Sequence, residues 1–264
     1  MGSALIVTEW KNGRHVYTLA GERVPGVTTC TGVLAKPALY GWYAEQAASW
    51  AANNPDQLTA LGHQDFIAMA KAAPNRVRDA AGGVGRDLHA HAEKLASTGE
   101  APDVPDSDLA MVVQAADFLD AMGAQTVVAE RAVYHDTFRY AGRLDLIAEI
   151  RGSIWLLDFK TGASGVWPEM ALQQSAYRFA THMQGATPDA DDEEMPPISH
   201  VGIVWIRPDG WQLVPVKADR DTWQAFLATI PLYRFLGQRK EATVGAPVAA
   251  GTATERPPDE QPQQ

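Results

Sequence analysis

The sequence predicts an α/β fold in which a central mixed β-sheet is flanked by helices, with a mostly helical N-terminal part. Up to residue 124 the apolar residues recur mainly at helical spacing. From about residue 125, three successive segments rich in β-branched and aromatic residues indicate strands. The chain has 264 residues and is 46% hydrophobic, which suffices for one sizeable core. We therefore expect a single domain over residues 1–240, with residues 1–124 as the helical part and residues 125–240 as the sheet and its helices.

In the N-terminal part, one short β-hairpin should precede the helices. Residues 4–8 and 15–19 alternate or run apolar around Lys11-Asn12-Gly13-Arg14, whose Asn-Gly pair is typical of a tight hairpin turn. Helices are predicted over residues 38–53, 57–72, 84–98 and 107–122. We expect the aromatic residues of the first helix (Trp42, Tyr43, Trp50) to be core, the alternative being that they stack on nucleic-acid bases.

In the C-terminal part, strands alternate with helices. Proline at a first helical position, followed by an acid, predicts a helix from Pro168 to about Met183. A turn at Arg207–Gly210 separates two further strands, and a last helix covers about residues 219–238. Residues 241–264 are rich in Ala, Pro, Gln and Thr, which predicts a disordered tail. The predicted strands are Thr126–Tyr134, Tyr140–Ile150, Ile154–Lys160, Val201–Ile206 and Gln212–Val216.

Charge and cysteine content restrict the class of protein. The net charge is −10, but much of it lies in acidic runs at residues 100–108, 189–194 and 255–260, so the body is close to neutral and a local basic groove for DNA remains open. We expect those runs mainly to keep the protein soluble. No apolar run reaches the roughly 18 residues of a membrane helix, and the single cysteine, Cys30, excludes an intramolecular disulfide. A soluble, cytoplasmic protein without membrane contact is therefore predicted.

Two acids and a lysine are predicted to converge on neighbouring strands. Side chains alternate along a strand, so Asp158 and Lys160 should point to one face and Phe159 to the other. With Gly152-Ser153 as a two-residue turn, Asp145 would lie opposite Lys160 and diagonal to Asp158, at Cβ separations of about 5 Å and roughly 7–8 Å. Two carboxylates could then bind one hard cation beside the lysine. The alternative is an ordinary, partly exposed salt bridge of Asp158 with Lys160, and a strand-end acid at Asp145.

Five short motifs follow one another between residues 85 and 180. They are Gly-x-x-x-His at residues 85–89, Glu130-Arg131, Gly142-x-x-Asp145, Asp158-Phe159-Lys160-Thr161-Gly162 and Gln173-x-x-x-Tyr177. In this order they resemble the PD-(D/E)xK nuclease superfamily, specifically its RecB-type branch of phage and bacterial recombination exonucleases. Each motif alone is weak, whereas five in sequence are specific.

The resemblance implies a restriction-endonuclease-like core and a divalent-metal DNA nuclease. By resemblance, His89, Asp145, Asp158 and the carbonyl of Phe159 would bind Mg²⁺ or Mn²⁺. Lys160 would orient the attacking water or neutralise the charge that develops on the phosphate.

The same resemblance assigns secondary roles and partners. Gln173 and Tyr177, four residues apart on a helix, would steady the lysine or touch the DNA backbone. Glu93 and Glu130 could support the metal site or could be ordinary solvated acids. An exonuclease is expected more than an endonuclease, and a DNA-binding or assembly protein that keeps the fold without catalysis is the alternative. A recombinase or single-strand annealing protein is the partner that the resemblance suggests, and the oligomeric state stays open. One cysteine excludes the four-cysteine iron–sulfur cluster of some relatives.

Overall fold

A seven-stranded mixed sheet flanked by helices forms the centre of the computed structural model, which describes residues 7–11, 14–98, 104–187, 190–238, 240–245 and 248. The α/β class is as predicted, with 45% of the chain helical and 28% in strands. Within the described ranges no helix is both long and apolar enough to cross a membrane.

Ten strands and eight helices are described. In chain order they are β1 (Val7–Lys11), β2 (Arg14–Leu19), β3 (Glu22–Val24), α1 (Val27–Thr31), α2 (Pro37–Asn53), α3 (Asp56–Leu61), α4 (His63–Thr98), α5 (Asp106–Met122), β4 (Gln125–His135), β5 (Tyr140–Ile150), β6 (Ser153–Lys160), α6 (Pro168–Arg178), β7 (His182–Met183), β8 (Glu193–Glu194), β9 (His200–Arg207), β10 (Gly210–Pro215), α7 (Arg220–Leu236) and α8 (Lys240–Thr243).

The order of strands in the large sheet is β10-β9-β6-β5-β4-β7-β8. Only β6 and β9 pair in parallel, because α6 and the two short edge strands carry the chain from one to the other. The other neighbours are antiparallel, and β4, β5 and β6 form a continuous meander. A separate three-stranded sheet, β1-β2-β3, precedes the helices, and its Lys11–Arg14 pair agrees with the predicted two-residue turn, whose Asn12 and Gly13 lie outside the described residues.

Each face of the large sheet has its own core. On one face, α5 packs through Val112 and Phe118 onto β5, β6 and β9. On the other face, α1, α6 and α7 surround Tyr140 and Phe226, neither of which is exposed. Strands covered on both faces are almost continuously apolar. The fully buried carboxyl of Asp158 in β6 is therefore an exception that needs a chemical reason.

Several sequence predictions about the helices are wrong. The stretches 57–72 and 84–98 do not form two matching helices: α3 ends at Leu61, and α4 then runs without a break through Pro74. Packing of α4 on α2, α5 and β4 outweighs the local helix-breaking signal. The aromatic residues of α2 (Trp42, Tyr43, Trp50) are half-buried towards α4 and belong to none of the described core clusters.

The short edge strands of the large sheet, β7 and β8, were not predicted from the sequence. The helix predicted to reach Met183 ends at Arg178, because the chain then pairs with β4: the backbone N–H of Thr181 donates to the Tyr134 carbonyl at 2.9 Å. Part of the second acidic run is structural rather than merely solubilising, since Asp192 accepts a hydrogen bond from the Tyr134 hydroxyl at 2.8 Å. Of the tail predicted to be disordered, residues 241–243 belong to α8, and most residues after Gly245 lie outside the described ranges.

Candidate active site at the end of β6

Six of the seven residues singled out by the sequence come together at the C-terminal end of β6. Asp158, Phe159 and Lys160 are the last three residues of β6, and Asp145 lies on the neighbouring β5. Gln173 and Tyr177 come from α6, which packs on the same face. The seventh, His89, belongs to α4, but its side chain lies outside the described residues, as does that of Glu93.

The pairing of β5 with β6 differs from the predicted register. Ile150 pairs with Ser153, so the turn is Arg151-Gly152, and both of its residues have positive φ (52° and 79°). This is the pattern of a type I′ turn. Arginine is not a preferred residue of such turns, so the sequence did not indicate it. Continued one step beyond the last pair of the ladder, the register sets Asp145 opposite Asp158 rather than Lys160. A shift of two positions does not change which face a paired residue takes, whereas a shift of one would reverse it.

Hydrogen bonds tie the two acids to their neighbours. The Asp145 Oδ2 accepts from the backbone N–H of Phe159 at 2.8 Å, which links β5 to β6 beside the acids. The Asp158 Oδ1 accepts from Gln173 Nε2 at 3.0 Å, and the same amide lies 3.4 Å from the Tyr177 hydroxyl. Gln173 therefore positions the buried carboxylate from α6.

The ammonium of Lys160 lies among oxygen atoms. Its Nζ forms an ion pair with Asp158 Oδ2 and a hydrogen bond of 3.3 Å with the Phe159 carbonyl. Burial by itself would lower the pKa of Lys160, but the negative charges of Asp158, Asp145 and Glu130 outweigh it and raise that pKa. Lys160 is thus charged at neutral pH, with its side chain 26% exposed.

The backbone of β4 and β5 is irregular beside these acids. Glu130 has a φ of 45°, in the left-handed region that side chains other than glycine rarely adopt. It stands next to the pair Arg131–Leu144. Leu144 and Leu146 pack into the two different cores, although residues two apart on a regular strand share a face. The strand therefore changes face at Asp145, and such strained backbone is concentrated at functional sites.

Gly142 allows α6 to approach β5 closely. A Cβ at this position would lie 2.5 Å from Tyr177 Cε1 and 3.1 Å from Val27 Cγ2. Tyr177 is only 2% exposed, and burial raises its pKa well above the ordinary value, with the nearby Tyr17, Asp158 and Asp145 adding to the shift. The tyrosine is therefore neutral beside the acids, and its hydroxyl accepts from the Gln173 amide.

Two residues of β9, which the sequence did not single out, hold the segment after Lys160. The Trp205 indole donates to the Gly162 carbonyl at 2.8 Å, and Arg207 donates to the Thr161 carbonyl at 2.6 Å. Trp205 is the register partner of Lys160 in the parallel pair of strands. Their position could be inferred from sequence only if the parallel pairing of β9 with β6 were known.

The donor atoms at this site suit a hard divalent cation. Two carboxylates and a backbone carbonyl are oxygen ligands, the type that Mg²⁺ and Mn²⁺ prefer. The ammonium of Lys160 contacts Asp158 Oδ2 and the Phe159 carbonyl, so one cationic group already binds these oxygens in the folded protein. Among the described residues no group of three or more His, Cys, Asp or Glu side chains could hold a metal ion. A metal here would therefore rely on the two carboxylates, the carbonyl and further ligands such as water or phosphate, and the predicted ligand His89 lies outside the described side chains.

Comparisons with known proteins supply no family. No protein-family model matches the chain, and no curated protein sequence matches it. A crystal structure of SSO0001 aligns with 51% of this chain and 62% of that chain, at 17% sequence identity and a TM-score of 0.31. The chain thus spans less than two thirds of that structure, and a likeness this weak carries no argument about function.

Proposed function

We propose that this protein is a divalent-metal-dependent DNA nuclease that hydrolyses phosphodiester bonds, more as an exonuclease than as an endonuclease. One observation carries the proposal: Asp145, Asp158 and Lys160 meet at one point of the sheet, and the Asp158 carboxylate is completely buried there. Burying a carboxylate costs several kcal/mol by order of magnitude, so its place in a core strand favours a chemical role over an ordinary surface salt bridge.

In this proposal the oxygens of Asp145, Asp158 and Phe159 hold Mg²⁺ or Mn²⁺. When bound, the metal polarises a phosphate oxygen and lowers the pKa of its water. Lys160, whose charge the surrounding acids maintain, stabilises the extra negative charge of the pentacoordinate phosphorus. Gln173 holds Asp158 in place by donating to its carboxylate, and the Tyr177 hydroxyl accepts from the same amide.

Localisation and partners are part of the same proposal. The substrate is DNA, in the cytoplasm of a bacterium or of a phage-infected host cell. A recombinase or single-strand annealing protein would use the strands that an exonuclease leaves. A DNA-binding or assembly protein without catalysis is the second candidate, because a Lys160 that only neutralises Asp158 would give the same resting contacts.

The test is digestion of end-labelled linear DNA and of closed circular DNA with Mg²⁺ or Mn²⁺. Asp158→Asn and Lys160→Met should each lower the cleavage rate by at least about 100-fold, as removal of one charge-stabilising group does in other enzymes. Asp209→Asn and Lys217→Met remove the same charges from exposed positions and should leave the rate unchanged.

Each result separates the candidates. Loss of linear DNA alone supports an exonuclease, and cutting of circles supports an endonuclease. A wild-type protein that binds DNA but cuts neither form with either metal would refute the nuclease proposal in favour of the non-catalytic candidate.

A further inference from the structure

Arg143 is a cation beside the site that the proposed chemistry leaves unused. It lies on β5, two residues before Asp145, with its side chain 38% exposed. Its Nη1 is 3.6 Å from Glu130 Oε2, which is an ion pair but too long for a hydrogen bond. Its Nε is buried and has no hydrogen-bond partner among the described residues.

A guanidinium in this state is not satisfied. Arginine carries five N–H donors in a planar fork, and a buried donor without a partner costs about 1–3 kcal/mol. Such a group in a folded protein calls for an explanation, and a site for an anionic ligand would give one. The Arg143 side chain is 38% exposed although its Nε is buried, so a ligand from solvent can reach part of the side chain.

Glu130 places Arg143 relative to the proposed reaction centre. The carboxylate of Glu130 pairs with Arg143 and also contributes to the electrostatic field at Lys160. Glu130 lies between the pairs Ala129–Leu146 and Arg131–Leu144, so it is level with Asp145 across β4 and β5, and its side chain is only 12% exposed. Lys160 contacts Asp158 and the Phe159 carbonyl, whereas Arg143, two residues before Asp145 on β5, pairs with Glu130.

The three-stranded sheet packs beside this part of β5, because Tyr17 of β2 shares a core cluster with Ala141, two residues before Arg143. Burial, and secondarily the positive charge of Arg143, lower the pKa of His15 on β2. Burial raises the pKa of Tyr17 to about 12, against the opposing effect of Arg143 and together with that of Glu130. Arg143 thus lies within electrostatic range of both rings, which stack with centroids 6.0 Å apart. Tyr17 is buried and neutral, so it places no competing negative charge beside the cation.

We infer that Arg143, with the β2 wall of His15 and Tyr17, binds a backbone phosphate of the DNA strand next to the phosphate being cut. The inference rests on the proposed function. A phosphodiester oxygen pair matches the guanidinium fork, and an arginine contacting it is a positioning residue that fixes the strand over the acids. In the free protein Glu130 neutralises part of the arginine charge, and the arriving phosphate replaces that long contact with direct hydrogen bonds.

The test measures DNA binding without cleavage. Binding of a fluorescent duplex and of a single strand is followed in a chelator over a range of salt concentrations, for wild type, Arg143→Gln and Arg143→Lys. One lost phosphate contact should reduce the slope of log affinity against log salt by about 0.9 on a duplex and about 0.7 on a single strand. Arg143→Lys keeps the charge and should keep the slope while losing the fork geometry. Arg234→Gln removes the same charge from an exposed position of α7 and should leave slope and affinity unchanged.

The outcomes distinguish this inference from the nuclease proposal. A reduced slope in Arg143→Gln but not in Arg234→Gln supports the phosphate contact, whether or not the protein cuts DNA. A slope equal to that of wild type overturns the contact even if cleavage is observed. If wild type shows no DNA binding in this assay, the contact is overturned as well, and the cleavage assay decides the nuclease proposal separately. Thermal unfolding of each variant shows that the folded state is being compared.

Discussion

The close approach of α6 to β5 makes Gly142→Ala the sharpest structural test of how the site is held. The added methyl carbon would lie 2.5 Å from Tyr177 Cε1 and 3.1 Å from Val27 Cγ2. Carbon atoms prefer separations of about 3.5–4.0 Å, so the buried tyrosine ring must move by roughly 1 Å. Overpacking of this kind costs about 1–3 kcal/mol, and the lower chain entropy of alanine returns about 0.5–1 kcal/mol. We expect a net loss of about 1–2 kcal/mol in the free energy of unfolding.

Urea unfolding measures this loss, and Gly202→Ala is the matched control. At Gly202 on β9 the new carbon would lie 2.7 Å from Leu213 Cδ1, the mobile end of a half-buried side chain, and 3.5 Å from Trp155 Cζ3. Leucine can turn away, so Gly202→Ala should cost less than about 0.5 kcal/mol. Equal losses at Gly142 and Gly202, or a loss below about 0.5 kcal/mol at Gly142, would refute the steric argument.

A double-mutant cycle with Tyr177→Ala identifies the partner. With the ring removed, the methyl group of Gly142→Ala enters vacated space, and its cost should disappear. The coupling energy should then approach the single-mutant cost, about 1–2 kcal/mol, which is within the range for residues in contact. An additive cycle would mean that the methyl group is limited by Val27 instead.

Two further predictions concern a turn and a helix cap. Arg151→Asn places the preferred residue before Gly152 in a turn that needs two positive φ values. The free energy of unfolding, measured in urea, should rise by about 0.4–1 kcal/mol. Unchanged stability would contradict the type I′ assignment. Asp219 is the N-cap of α7, and hydrogen bonds from Thr222 lower the pKa of its carboxyl to about 2. The carboxylate therefore stabilises the folded protein above about pH 4, and this contribution is lost as the pH falls through about 2. Asp219→Ala should therefore lower the melting temperature at pH 7 and lower it less at pH 3, whereas an equal loss at both values would contradict the charge effect.

The sequence predicted the order of elements well where apolar patterning is strong. The three strands of the central meander agree with their predicted ranges to within about a residue at most ends, because β-branched runs buried on both faces have few other readings. The two-residue β7 and β8 were missed because β7 pairs with β4, and β8 with β7, through backbone hydrogen bonds over segments too short to show a periodicity. The continuity of α4 through Pro74 depends on neighbouring helices, and local propensity does not contain it.

The candidate site was predictable in membership but not in register. Alternation along β6 put Asp158 and Lys160 on one face, and the structure has them paired there. The turn was misassigned because the sequence favours Gly152 as its first residue. In the structure Arg151 is the first residue, in a left-handed conformation. The contact of Asp145 with the Phe159 N–H depends on the irregular backbone near Glu130, which no spacing rule reveals.

The resting contacts of Lys160 constrain how the proposed reaction could begin. The Lys160 ammonium stabilises charge on a phosphate less strongly while it also neutralises Asp158, since both tasks draw on the one charge at its Nζ. In the resting protein that atom contacts Asp158 and the Phe159 carbonyl, the same oxygens proposed for the metal.

A divalent ion binding there would take over the neutralisation and would repel the ammonium at short range. Because the lysine side chain is partly exposed at the end of its strand, it can turn towards incoming DNA without breaking the core. In the proposed reaction, metal binding and the availability of Lys160 for phosphate would then be one coupled event.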